Sequence, residues 1–240
     1  MDTWIEVAGL TIHSPVTALT NLLLAVQCAV YARRLRTGRE DRGGYWSLFF
    51  LAMAVATLAG VLKHGLSYLM TDTAYLTVLW VSSLGSAASV YYAQRATLVS
   101  RATSRVESRL TGICVLQMAL FLGASMGLGP EMWLVVANTA VGLAPVIVAE
   151  ASSPRDHARM GLWVAGGLVV SLFTGVVYVM RLSVGPWFNH VDMAHVLMGV
   201  SFALIAKGAG ELVDPSGCQP PRTSPSPVLV GGFLADGKYT

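Results

Sequence analysis

The chain has 240 residues, of which 54% are hydrophobic and only 12% charged, with 16 Lys and Arg against 13 Asp and Glu. Soluble domains carry roughly 25% charged residues, so a water-facing surface for this chain would be largely apolar. The balance excludes a disordered chain, a basic nucleic-acid binder and a disulfide scaffold, and leaves an integral membrane protein.

A helix that crosses about 30 Å of hydrocarbon needs roughly 20 mainly apolar residues. Residues 1–14 contain Asp2 and Glu6 and no Lys or Arg, so they do not read as a cleavable signal. Seven stretches qualify as spans, at residues 15–31, 46–70, 74–98, 110–128, 131–149, 158–181 and 190–213. The fourth and fifth are separated only by Gly127, Leu128, Gly129 and Pro130, which read as a tight turn because the combined run is too long for one span. The expected fold class is therefore all-α, a polytopic seven-transmembrane-helix bundle over residues 1–213. From Asp214 onward, prolines at 215, 220, 221, 225 and 227 mark residues 214–240 as a flexible tail.

The basic residues set the expected orientation. Arg33, Arg34, Arg36, Arg39 and Arg42 follow the first span, Arg95, Arg101, Arg105 and Arg109 the third, and Arg155 and Arg159 the fifth. With Lys207, Arg222 and Lys238, that puts 14 of the 16 on one side, which should be cytoplasmic. The N-terminus is then external, the C-terminus cytoplasmic, and the localisation a cell (inner) membrane. Lys63 and Arg181, near the outer ends of their spans, are expected to snorkel to the headgroups. Cys28, Cys114 and Cys218 read as unpaired thiols.

Four of the five histidines fall toward the outer side. His64 is about six residues, or roughly 9 Å, inside the second span, and His195 is at a similar depth in the seventh. Thr57, Gly60, His64 and Ser67 share a face, and Asp192 lies three residues before His195. Ionisable groups at such depths face the bundle interior and find a partner. His64, His195, Asp192 and His190 are thus candidate N/O ligands, suited to zinc or another divalent transition metal. A polar packing network is the competing reading, and Asn189 or Asp192 also suits the cap of helix 7. Lys207 in the last helix invites comparison with retinal proteins, but Ala203 stands where a carboxylate would be needed.

Lys63-His64-Gly65 together with Phe188-Asn189-His190-Val191-Asp192-Met193-Ala194-His195 resembles a group of uncharacterised seven-helix membrane proteins. More distantly, the pattern is similar to the superfamily of alkaline ceramidases and adiponectin-type receptors. That resemblance implies a zinc held by one histidine of helix 2 and two of helix 7, here His64, His195 and His190. Gly60 stands where the superfamily has serine, and His190 and His195 are five residues apart rather than four.

Three functions follow as expectations. The first is a metal-dependent hydrolase of a lipid amide or ester, in which Asp192 acts as base and Ser67 and Tyr68 orient the oxyanion. The second is a non-catalytic receptor or a structural subunit packed against protein partners through Gly- and Ala-rich helices. The third is a bis-His haem protein using His64 and His195. Membrane lipids are the expected surroundings, and nucleic acid is excluded as a partner.

Overall fold

The computed structural model describes residues 4–7, 10–36, 42–101, 104–185 and 187–213. The expected tail at 214–240 lies outside the described residues. The described chain is helical apart from a short antiparallel hairpin, β1 (Trp4–Val7) and β2 (Leu10–His13), in register from Trp4 opposite His13 to Val7 opposite Leu10. Seven helices follow: α1 (Pro15–Leu35), α2 (Arg42–Gly65), α3 (Asp72–Arg101), α4 (Ser104–Leu128), α5 (Met132–Ala151), α6 (Ala158–Val179) and α7 (His190–Val213). Each is long and apolar enough to cross a membrane.

Helix count and order match the sequence reading, while several ends move. Arg33 and Arg34 continue α1 by a further turn, and Arg42 opens α2 rather than lying in a loop. Arginine is a good helix former, and favourable at a helix C-terminus, so apolar length underestimates helix length. At its other end α2 stops at Gly65, followed by a 3-10 turn at Ser67–Leu69. The Gly127–Pro130 stretch is the expected turn, with Gly129 at φ 89°, a left-handed conformation that glycine adopts without strain.

Side-chain contacts fix the alternation of helix directions. At one end, Ser47 of α2 donates to the Ala32 carbonyl of α1 at 2.7 Å. At that end the Glu150 carboxylate of α5, with no exposed surface, accepts Arg42 from α2 at 2.5 Å and Thr97 from α3 at 2.8 Å. This is the arginine end. At the other, Thr17 of α1 meets Asp192 of α7, and the His190 ring lies 5.4 Å from Tyr178 of α6. This is the histidine end. Helices α1 and α7 therefore start together and run parallel.

An aromatic cluster fills the bundle where α1, α2 and α7 meet. Phe50 packs edge-on against Phe49, Phe202 and Tyr31, at centroid distances of 5.0, 5.9 and 5.3 Å. Helices α6 and α7 touch through glycines. A Cβ at Gly167 would come within 2.6 Å of the Ile205 side chain and 2.8 Å of the Ser201 carbonyl, and one at Gly208 within 2.6 Å of the Met160 carbonyl. Amides join α3, α4 and α5: Gln94 donates to Gln117 at 2.8 Å and to the Gly142 carbonyl at 3.1 Å, and Gln117 donates to Asn138 at 3.0 Å. Outward, large apolar side chains such as Leu23, Leu51, Leu120, Val141 and Val169 are more than half exposed, a surface suited to hydrocarbon.

Gly208→Val should force α6 and α7 apart, since the added atoms meet backbone that cannot give. The expected cost is about 1–3 kcal/mol, read as a lower midpoint of thermal unfolding in detergent. Gly166→Val, at a position where a Cβ meets nothing within 4 Å, should leave that midpoint unchanged.

Candidate functional site

The site begins at the start of α7. The Asn189 carbonyl accepts the Met193 N–H at 3.1 Å, and its side-chain oxygen accepts the N–H of Val191 at 2.8 Å. Asp192 reaches back, its Oδ2 accepting the Asn189 N–H at 2.9 Å. The two residues form a reciprocal cap, in which each side chain satisfies a backbone donor of the first turn. The remaining oxygen, Oδ1, accepts the Thr17 hydroxyl at 2.6 Å. Asp192 and Thr17 are both fully buried, so this bond fastens α1 to α7 in the interior.

One turn further along, Thr20 Oγ1 lies 3.0 Å from His195 Nδ1 and 3.1 Å from the Thr17 carbonyl. When the Thr20 proton goes to His195 Nδ1, Nε2 carries the ring proton and is a donor; when it goes to the Thr17 carbonyl, Nδ1 donates to Thr20 and Nε2 is an acceptor. Lower down, Gln27 donates to the Gly199 carbonyl at 2.9 Å. Helix α1 thus follows α7 at nearly constant offset, contributing Thr17, Thr20 and Gln27.

Beside this seam is a cavity of about 570 Å³ bounded chiefly by α2, α3, α5, α6 and α7. Lys63, His64, His195 and Asn21 line it toward the histidine end, and Phe49, Met53 and Phe202 line it toward the middle of the bundle. Met132, Val176, Val179 and Met180, which line it where α5 starts and α6 ends, are exposed and form an apolar mouth. The hydroxyls of Thr57, Ser86, Ser89 and Thr174 each donate to a carbonyl of their own helix, so their oxygens face the cavity as acceptors. Gly60 makes room for Asn21: a Cβ there would stand 2.5 Å from Asn21 Oδ1.

The sequence-derived candidates separate. His64 and His195 line the same cavity, within Coulombic reach of each other and of Lys63. Lys63 is half-buried and lines the cavity wall. Asp192 is held by the cap and by Thr17, and His190 stacks on Tyr178. Tyr68 is 42% exposed and accepts the Thr11 N–H of β2 at 3.0 Å; neither it nor Ser67 lines the cavity. Among the described residues, no three of His, Cys, Asp and Glu are gathered where they could hold a metal ion. The donors therefore fall short of the three protein ligands that a catalytic zinc requires. Lys207 lies over the Trp163 ring at 3.8 Å and is not part of the cavity wall.

Residues 16–214 match the model of a family of unknown function, DUF6962. The chain belongs to that family. No curated protein and no solved structure matches it. The matched segment spans all seven helices, so the Thr17–Asp192 bond and the cavity lie within the part that this DUF6962 member shares with its family.

Thr17, Thr20 and Asn21 escaped the sequence reading, which looked for metal ligands among histidines and carboxylates. Their spacing of three and four is the signal that could have found them, a polar stripe on one face of an apolar helix. Thr17→Val should cost about 1–3 kcal/mol, because it leaves a buried carboxylate oxygen without its donor. A double-mutant cycle with Asp192→Asn, followed by thermal unfolding, should show strong coupling; additive losses would mean that the two side chains do not meet.

Proposed function

We propose that the chain is a seven-helix integral membrane protein of the cell membrane, N-terminus outside and arginine end in the cytoplasm, that binds an amphiphilic ligand inside its bundle. It is the receptor class of the expected functions, a binding protein and not a hydrolase. The observation that carries this reading is the cavity. Its volume of about 570 Å³ falls within the range of small-molecule sites, about 300–1,000 Å³, and its wall is mainly apolar, with hydroxyl side chains along it and the charged and imidazole groups at one end. The apolar mouth between α5 and α6 suits entry from the lipid phase.

The reading explains features that zinc hydrolysis leaves idle. Hydrolysis on zinc calls for a third protein ligand and a free base, whereas Asp192 spends both oxygens on structure. Two imidazoles on one cavity wall, with one of them anchored through Thr20, serve equally well as hydrogen-bonding groups for a ligand head.

Orientation is checked by cysteine labelling in a chain whose three native cysteines are replaced. Probes at Asp72 and Gly129 should react from outside the cell and one at Arg105 should not; the reverse pattern would overturn the topology. Ligand binding is checked by mass spectrometry of the organic extract of purified protein, together with metal analysis and an absorption spectrum. The expected result is a stoichiometric amphiphile, depleted in Met198→Trp, which narrows the cavity. A stoichiometric transition metal lost in His64→Ala, or a haem absorption band, would replace this reading with one of the other two.

A further inference from the structure

The cavity has a charge that nothing on its own wall balances. Lys63 is the one charged side chain among the described lining residues, and no Asp or Glu lines the space with it. The ion pairs among the described residues, Arg42 with Glu150 and Arg95 with Glu107, belong to the arginine end. Asp192 lies behind the wall: it is fully buried against Thr17 and the Asn189 amide and does not line the cavity. A cation held against an apolar space is costly unless it has a partner, and the described lining residues include no acid to serve as one.

Neighbouring groups fit an anion. When Thr20 turns its proton to His195 Nδ1, Nε2 carries the ring proton and donates, giving a second donor alongside the Lys63 ammonium. Asn21 donates its amide N–H to the Thr17 carbonyl and brings no competing charge. One lining cation matches one negative charge, which favours a carboxylate over a dianionic phosphate. Beyond this end the wall is uncharged and mainly apolar, with hydroxyls interspersed: Phe49 lies fourteen residues before Lys63 along α2, about 21 Å at 1.5 Å per residue. A volume of about 570 Å³ lies within the range of small-molecule sites and accommodates one acyl chain with its head.

We propose that the cavity takes a single-chain amphiphile with a carboxylate head, the head between Lys63 and His195 and the chain running toward Phe49 and Phe202. This rests on the ligand-binding reading and adds the class of ligand. The hydroxyl oxygens of Ser86, Ser89 and Thr174 further along the wall accept hydrogen bonds from hydroxyl groups on the chain, so a hydroxylated chain should bind at least as well as a plain one.

The test compares palmitic acid, hexadecanol and single-chain lysophosphatidic acid as ligands of the full chain in lipid nanodiscs, delipidated beforehand. Palmitic acid should bind at least tenfold more tightly than hexadecanol and than the phosphate. Lys63→Met should remove that preference and leave hexadecanol binding unchanged, while Lys63→Arg should keep it. The comparison of acid with alcohol needs only the unaltered chain, so it stands even if a variant fails to fold. Equal binding of acid and alcohol would overturn the carboxylate assignment and leave a neutral-ligand cavity. Tightest binding of the phosphate would also overturn it. Binding of none of the three would overturn the ligand-binding reading as well.

Discussion

A buried carboxylate joins the first helix of the bundle to the last. Asp192 caps α7 with one oxygen and takes the Thr17 hydroxyl of α1 with the other, at a site closed to solvent. An isolated charge in such surroundings costs several kcal/mol, and removing one partner of a buried charge is correspondingly severe. The bond therefore selects one register of α1 against α7. In that register Thr20 reaches His195 and Gln27 reaches the Gly199 carbonyl, so the whole seam follows from its first contact.

The other end of the bundle has an equivalent. Glu150 is as deeply buried as Asp192 and takes donors from α2 and α3, which locks the arginine end around α5. The two clamps join different helices, α1 with α7 at one end and α2 and α3 with α5 at the other, and small side chains such as Ala56, Gly60, Ser82 and Ser86 line the cavity. The aromatic cluster of Phe49, Phe50 and Phe202 closes the cavity toward the arginine end, and the polar residues of α1, α2 and α7 gather at the other.

Much of this was legible in the sequence. Seven apolar runs gave seven helices, the Gly127–Pro130 stretch gave the turn, and His64 and His195, judged to be at matched depth, do line one cavity. Helix ends were misjudged because hydropathy measures the apolar part of a helix and arginine extends it. The β1–β2 hairpin was not foreseen, since four-residue strands carry too little pattern to separate from a loop. Asp192 was found, but its role depends on Thr17, which lies 175 residues away and carries no charge to draw attention. Glu150 was passed over as the residue just beyond a span, although Arg42 and Thr97 bury it. Long-range hydrogen bonds from hydroxyl and amide side chains leave little trace in composition or periodicity.

The account stands on Thr17 and Asp192 holding α1 to α7 while Lys63, His64 and His195 face one enclosed space. A cryo-electron density map of the protein in lipid nanodiscs would test this most directly. The account expects the Asp192 carboxylate between Thr17 and the Asn189 amide, and elongated density in the cavity with its head at Lys63. A map in which α1 has moved off α7, or in which Lys63 and His64 face the lipid and the interior is packed with side chains, would contradict it.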